Sequence, residues 1–176
     1  HTTNPGSLAF SGIDILASTG NITIDGGTDG VVTSTSGNTS DFGALSGGSA
    51  TGDVLIVGDR LTAAGTTNIK TTGDVTLESK GSTFVSGVSL GNFNVVDGAR
   101  NFRLGKTTNA VATSLTGGIS VTGTIEVYGN GVTTGSMITS ATSGNGILAK
   151  SLAGITTTAG TSGARTQVAV TGTNST

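Results

Sequence analysis

The chain has 176 residues, with eight Lys and Arg against ten Asp and Glu, a net charge of −2, 31 Gly and no Cys. Only 10% of residues are charged, where ordinary globular domains run near a quarter, so hydroxyls and amides must cover the surface. The chain lacks a basic cluster to neutralise phosphates, an apolar run of the ~18–20 residues that span a bilayer, and any thiol chemistry, so nucleic acid, a membrane span and disulfides are set aside.

In chain order, His1 comes first and is the only histidine. With no second His and no Cys, neither a histidine copper site nor a Ser-His-Asp or Cys-His nucleophile is available. A start at His1, with no basic segment leading into an apolar one, fits removal of a targeting segment or trimming of the chain. The stretch Leu8–Leu16 is the most apolar of the sequence. Its Leu8/Phe10 and Ile13/Ile15 pairs alternate with other residues, which is the period of a half-buried strand. Residues 1–18 are therefore expected to form an N-terminal cap or a strand that joins subunits. Residues 19–176 are expected to form a single β-rich repeat domain.

The same alternation recurs at Ile22/Ile24, Val54/Ile56, Val75/Leu77, Phe93/Val95, Ile119/Val121, Ile125/Val127 and Val168/Val170. No helical period of ten residues or more stands out. Short candidates such as Leu61–Ala64 and Ala149–Ala153 are bounded by Gly.

A turn-plus-strand motif repeats ahead of these pairs. Gly20-Asn21, Gly52-Asp53, Gly73-Asp74, Gly91-Asn92 and Gly117-Gly118 each precede an apolar-x-apolar triplet. Gly and Asx tolerate the left-handed backbone of a tight corner, and the triplet places two side chains on one face of a strand. The copies start roughly 18 to 32 residues apart, which suits coils of a β-solenoid carrying loop insertions. The fold class read from this pattern is all-β, a β-solenoid. The alternative is an antiparallel β-sandwich or jelly-roll filament subunit, favoured by the uneven intervals and by Asn130-Gly131 and Asn145-Gly146, which suit hairpin turns, though they suit solenoid corners as well.

The segment Thr72-Gly-Asp-Val-Thr-Leu-Glu-Ser-Lys-Gly81, with its copies at 51–56 and 19–24, resembles the repeats of filamentous-haemagglutinin-type exoproteins of bacteria. The likeness covers about residues 19–127. It implies a right-handed parallel β-helix at a bacterial surface and a part in adhesion. The irregular repeat length departs from that family's pattern.

Few residues suggest chemistry. The carboxylates Asp14, Asp25, Asp29, Asp41, Asp53, Asp59, Asp74, Glu78, Asp97 and Glu126 are scattered, and no spacing nominates a catalytic pair. An enzyme is not expected, and no cofactor is called for. Asp25-Gly-Gly-Thr-Asp29-Gly is similar to calcium turns of secreted repeat proteins, so Asp25 and Asp29 are the one calcium candidate, against a plain solvated turn. Asn21, Asn38 and Asn174 head glycosylation acceptor triplets. Thr33-Ser34-Thr35 and Thr156-Thr157-Thr158 are not expected to repeat in register, which counts against an ice-binding array.

The expectation is thus a non-enzymatic, secreted structural protein of a bacterial cell surface, a subunit or segment of a filament that assembles with itself by strand stacking or strand addition. Leu8, Phe10, Ile13 and Ile15 are the candidate assembly strand. A host or neighbouring cell is the second candidate partner. The alternatives are a monomeric adhesin that binds a glycan or receptor, then an ice-binding protein.

Overall fold

The computed structural model describes residues 7–35, 37–44, 48, 50–142, 146–157 and 168–170. His1, Asn145, Thr158 and Asn174 lie outside these. The described residues form twenty strands and no helix.

The strands come three to a coil. The first coil holds β1 (Ser7–Phe10), β2 (Ile15–Leu16) and β3 (Ile22–Asp25). The second holds β4 (Val31–Ser34), β5 (Thr39–Gly43) and β6 (Val54–Val57). The third holds β7 (Arg60–Ala63), β8 (Thr66–Lys70) and β9 (Val75–Glu78). The fourth holds β10 (Val88–Leu90), β11 (Phe93–Ala99) and β12 (Phe102–Leu104). The fifth holds β13 (Thr113–Leu115), β14 (Ile119–Val121) and β15 (Ile125–Gly129). The sixth holds β16 (Val132–Thr134), β17 (Met137–Thr139) and β18 (Ile147–Ser151). Strands β19 (Ile155–Thr157) and β20 (Val168–Val170) open a seventh.

Every third strand pairs with the last, always in parallel. Three sheets result: A from β1 to β19, B from β2 to β20, and C from β3 to β18. The chain is therefore a β-solenoid of about six turns, and the antiparallel sandwich is excluded. Asn130-Gly131 joins sheet C to sheet A as a corner of the coil, not as a hairpin.

Alternation in sequence becomes columns in space. On sheet C, Ile22, Val54, Val75, Phe102, Ile125 and Ile147 stack in register, as do Ile24, Ile56, Leu77, Leu104, Val127 and Ala149. On sheet B the column is Ile15, Phe42, Ile69, Val95, Ile119 and Met137. These inward columns merge into one core that is nearly dry in its middle coils. Burying them is the main favourable term, at about 25 cal/mol per Å² of apolar surface.

Coil length is uneven because loops are inserted at corners. On sheet C, Ile22 pairs with Val54, 32 residues on, Val54 pairs with Val75, 21 on, and Val75 pairs with Phe102, 27 on. Two insertions, 79–87 and 105–112, follow β9 and β12 and so fall at the same corner of successive coils.

Candidate functional site

The Gly-Asx motif occupies two different corners. Gly20-Asn21, Gly52-Asp53 and Gly73-Asp74 precede strands of sheet C, whereas Gly91-Asn92 and Gly117-Gly118 precede strands of sheet B. The step from Gly73 to Gly91 is thus less than a full turn, which accounts for its short interval.

The left-handed backbone expected at these glycines is absent. None of the five has a positive φ; that conformation occurs at other residues, among them Gly131 and Asp29. Three of the motif glycines, Gly52, Gly73 and Gly117, instead lie too close to the neighbouring coil for a side chain, whereas Gly20 and Gly91 have room for one. A Cβ at Gly52 would lie 2.0 Å from the Gly20 carbonyl oxygen, and one at Gly117 would lie 1.7 Å from that of Phe93.

The Asx side chains tie coil to coil. The Asp53 amide donates to Asn21 Oδ1 at 2.9 Å, and the Asp74 amide donates to Asp53 Oδ1 at 2.8 Å. Asp74 Oδ1 accepts from Asn101 Nδ2 at 2.9 Å, and Asn101 Oδ1 accepts the Thr124 amide at 2.8 Å. Arg100 adds a two-pronged contact to Asp74, with Nη2 2.6 Å from Oδ2, and reaches within 3.6 Å of Asp53. The Arg100 hydrogen bond holds the Asp74 carboxyl below its usual range, against the opposing effect of burial.

A second ladder runs down the outer face of sheet B. Asp41 Oδ1 accepts from Asn68 Nδ2 at 2.9 Å, and Asn68 Oδ1 accepts from Asn94 Nδ2 at 3.1 Å. Lys70 pairs with the other Asp41 oxygen. Burial pushes the Asp41 carboxyl upward, but the Lys70 and Asn68 hydrogen bonds outweigh it and hold the group below its usual range.

The outer face of sheet A carries a hydroxyl column. Thr33, Thr62, Ser89, Ser114, Thr133 and Thr156 lie in register on six successive strands. Thr33 and Thr156 share this column because insertions lie at corners and leave strand positions aligned, but the Thr-x-Thr unit itself does not repeat from coil to coil, since Thr62 is followed by Ala63 and Ala64 and Thr133 by Thr134 and Gly135. Thr62 Oγ1 donates to Thr33 Oγ1 at 2.7 Å, so part of this column is engaged within the stack.

The outer face of sheet C carries charge. Glu78, Arg103, Glu126, Tyr128 and Lys150 lie on four successive coils. Arg103 Nη2 meets Glu78 Oε2 at 2.8 Å, and the Tyr128 hydroxyl donates to Glu126 Oε2 at 3.2 Å. Burial first, then the Glu126 charge, raise the Tyr128 phenol above its usual value and keep it a donor. The two stacked insertions wall this face. Thr83 Oγ1 donates to Asn109 Oδ1 at 3.0 Å, Lys106 Nζ donates to the Gly81 carbonyl at 2.7 Å, and Thr108 Oγ1 bonds the Ser82 carbonyl. Buried Asn109 also donates to the Tyr128 carbonyl at 2.9 Å, and Phe84 anchors the first insertion in the core. Between wall and sheet lies a cleft of about 370 Å³ lined by Glu78, Arg103, Lys106, Glu126 and Tyr128.

The calcium candidates are placed apart in role. The Asp25 carboxylate takes Lys80 Nζ at 2.7 Å and the Gly27 amide at 2.8 Å, and these contacts, Lys80 foremost, hold its pKa below the usual range. The Asp29 amide donates to Asp59 Oδ2 at 2.7 Å, and the Asp29 carbonyl accepts from Arg60 Nη1 at 3.0 Å. Among the described residues no three His, Cys, Asp or Glu side chains gather as a metal set.

The candidate assembly residues lie in the first coil. Leu8, Phe10 and Ile15 are half-buried against the core, Phe10 stacking edge-on to Phe42 with ring centroids 5.4 Å apart, and Ile13 is 42% exposed. At the other end Ile147 and Ala149 are half-buried and Ile155 is 52% exposed.

Sequence reasoning did not single out Arg103, Asn109 or Phe84, because their roles depend on which insertions share a corner. No family model, no curated protein and no solved structure matches this chain.

Proposed function

We propose that this chain is a non-enzymatic structural segment of an extracellular bacterial fibre, lengthened by adding coils to the ends of the stack. One observation carries the reading. The core continues into the terminal coils, where Leu8, Phe10 and Ile15 at one end and Ile147 and Ala149 at the other are only partly buried, and where Ile13 and Ile155 are exposed. A further coil would cover these side chains and pair the outer strand edges, which otherwise template association. Two ends of different shape meet head to tail, and such contacts propagate without closing. The low charge and the Thr-, Ser- and Gly-rich composition support an extracellular setting.

Sedimentation velocity and negative-stain microscopy test this. At rising concentration the chain should form rods of constant width, in multiples of a unit about 30 Å long for seven rungs at ~4.8 Å. The double variant Ile13→Lys, Ile155→Lys should remain as single units with an unchanged β circular-dichroism spectrum. A chain that stays monomeric at every concentration, or rods indifferent to both lysines, would overturn the proposal.

A further inference from the structure

The cleft on sheet C lies on the side of the stack and is independent of how the ends associate. We infer that it binds a neutral glycan, with Arg103 and Glu126 as the contacting residues and Glu78 and Tyr128 as the groups that position them.

The site is built. Its floor is the middle of a six-stranded parallel sheet, and its wall is two insertions bonded to each other through Thr83, Asn109, Lys106 and Thr108. Arg103 and Glu126 are register neighbours on β12 and β15, so their heads project from adjacent rungs, about 4.8 Å apart at the backbone. Each is fixed from behind, Arg103 by Glu78 and Glu126 by the Tyr128 hydroxyl. Each also keeps spare capacity toward the cleft. A guanidinium offers five N–H donors and a carboxylate about four acceptor positions. One Arg103 nitrogen contacts Glu78, and one Glu126 oxygen takes the tyrosine. A fixed donor fork beside a fixed acceptor pair matches the adjacent hydroxyls of a pyranose, each of which both gives and takes a hydrogen bond.

Charge selects among ligands. Along this face Asp25, Asp53, Asp74, Glu78 and Glu126 are matched by Lys80, Arg100, Arg103, Lys106 and Lys150. Five against five leaves no net field to hold a polyanion or a polycation. An extended peptide is disfavoured too. Strand addition needs a free sheet edge, whereas β12 and β15 are paired on both sides, and the polar floor lacks the apolar pocket that side-chain anchors fill. The cleft shares Glu78 and Arg103 with a groove past Thr76 and Asp53 on one side, and Thr108 and Tyr128 with a pocket beside Lys150 on the other. The ligand can therefore run along the solenoid axis as a chain.

Affinity electrophoresis and fluorescence polarisation with labelled cello-, malto- and chito-oligosaccharides test the inference, with heparin and polygalacturonate as anionic comparisons. At least one neutral series should bind. Arg103→Ala and Glu126→Gln should each weaken it by about tenfold or more, the loss expected for one charge-assisted hydrogen bond. Tyr128→Phe should weaken it by less, and Thr62→Val on sheet A should leave it unchanged. Circular dichroism and melting checks each variant, and Glu126→Gln, which changes no side-chain volume to speak of, remains decisive if Arg103→Ala fails to fold. Binding by none of the neutral series, binding by the anionic polymers alone, or unchanged affinity in Glu126→Gln would overturn the inference.

Discussion

The amide of Asp74 donates to the carboxylate of Asp53 at 2.8 Å, one full coil away along the stack. Asp53 in turn gives its own amide to Asn21. The same geometry is thus served once by an amide oxygen and once by a carboxylate oxygen, so the charge is incidental to the bond. Asp53→Asn should leave stability within about 0.5 kcal/mol of the parent. Asp53→Ala should cost about 1 kcal/mol, the usual net worth of one hydrogen bond. Urea unfolding of both variants measures the difference.

The motif glycines should differ sharply in tolerance although their sequence context is the same. Around Gly20 a Cβ would meet nothing within 4 Å, whereas at Gly117 it would meet the Phe93 carbonyl. Gly20→Ala should therefore be within about 0.5 kcal/mol of neutral. Gly117→Ala should cost about 1–3 kcal/mol, as overpacked sites do. Equal effects in thermal melts would count against close coil stacking at this corner.

Acid should weaken the fold through three carboxylates. Asp25, Asp41 and Asp74 all have folded-state pKa values below their ordinary ones, held there by Lys80, Lys70 and Arg100. A lowered folded pKa gives stability that is fully present above the unfolded value and lost as pH falls through the folded value. The urea midpoint should hold steady from neutrality to about pH 5 and decline below about pH 4. Asp41→Asn should flatten that decline, at the cost of lower stability near neutrality, where Lys70 loses its partner.

Phe84 links the wall of the cleft to the core. It is buried to 1% exposure although it sits in an insertion between β9 and β10. Phe84→Ala should cost about 3–5 kcal/mol. It should also speed amide exchange in 79–87 and in 105–112, since Thr83 and Asn109 couple the two loops. Faster exchange confined to 79–87 would show that the loops are energetically separate.

The strands were legible in the sequence because an inward column needs apolar residues two apart. Ile22/Ile24, Val54/Ile56 and Val75/Leu77 read as strands and lie in register. The corner that each motif copy occupies was not legible. Gly-Asx followed by apolar-x-apolar serves both the sheet B and the sheet C corners, and only pairing separates Gly73-Asp74 from Gly91-Asn92. The hydroxyl column was missed for the same reason, since Thr33 and Thr62 are 29 residues apart and Ser114 and Thr133 only 19. The cleft was further still from view. Glu78, Arg103 and Glu126 are unremarkable along the chain and meet only because each follows its own strand onto one face.

Since Val54 stands directly over Val75, residues 54–74 amount to one removable floor of the building. Splicing Asp53 onto Val75 would seat β3 against β9, β4 against β10 and β5 against β11, and would bring Asp53 to where Arg100 and Asn101 now greet Asp74. Length in such a molecule comes in whole storeys, and loss of one shortens it while every surviving strand still lies beside a strand of its own sheet.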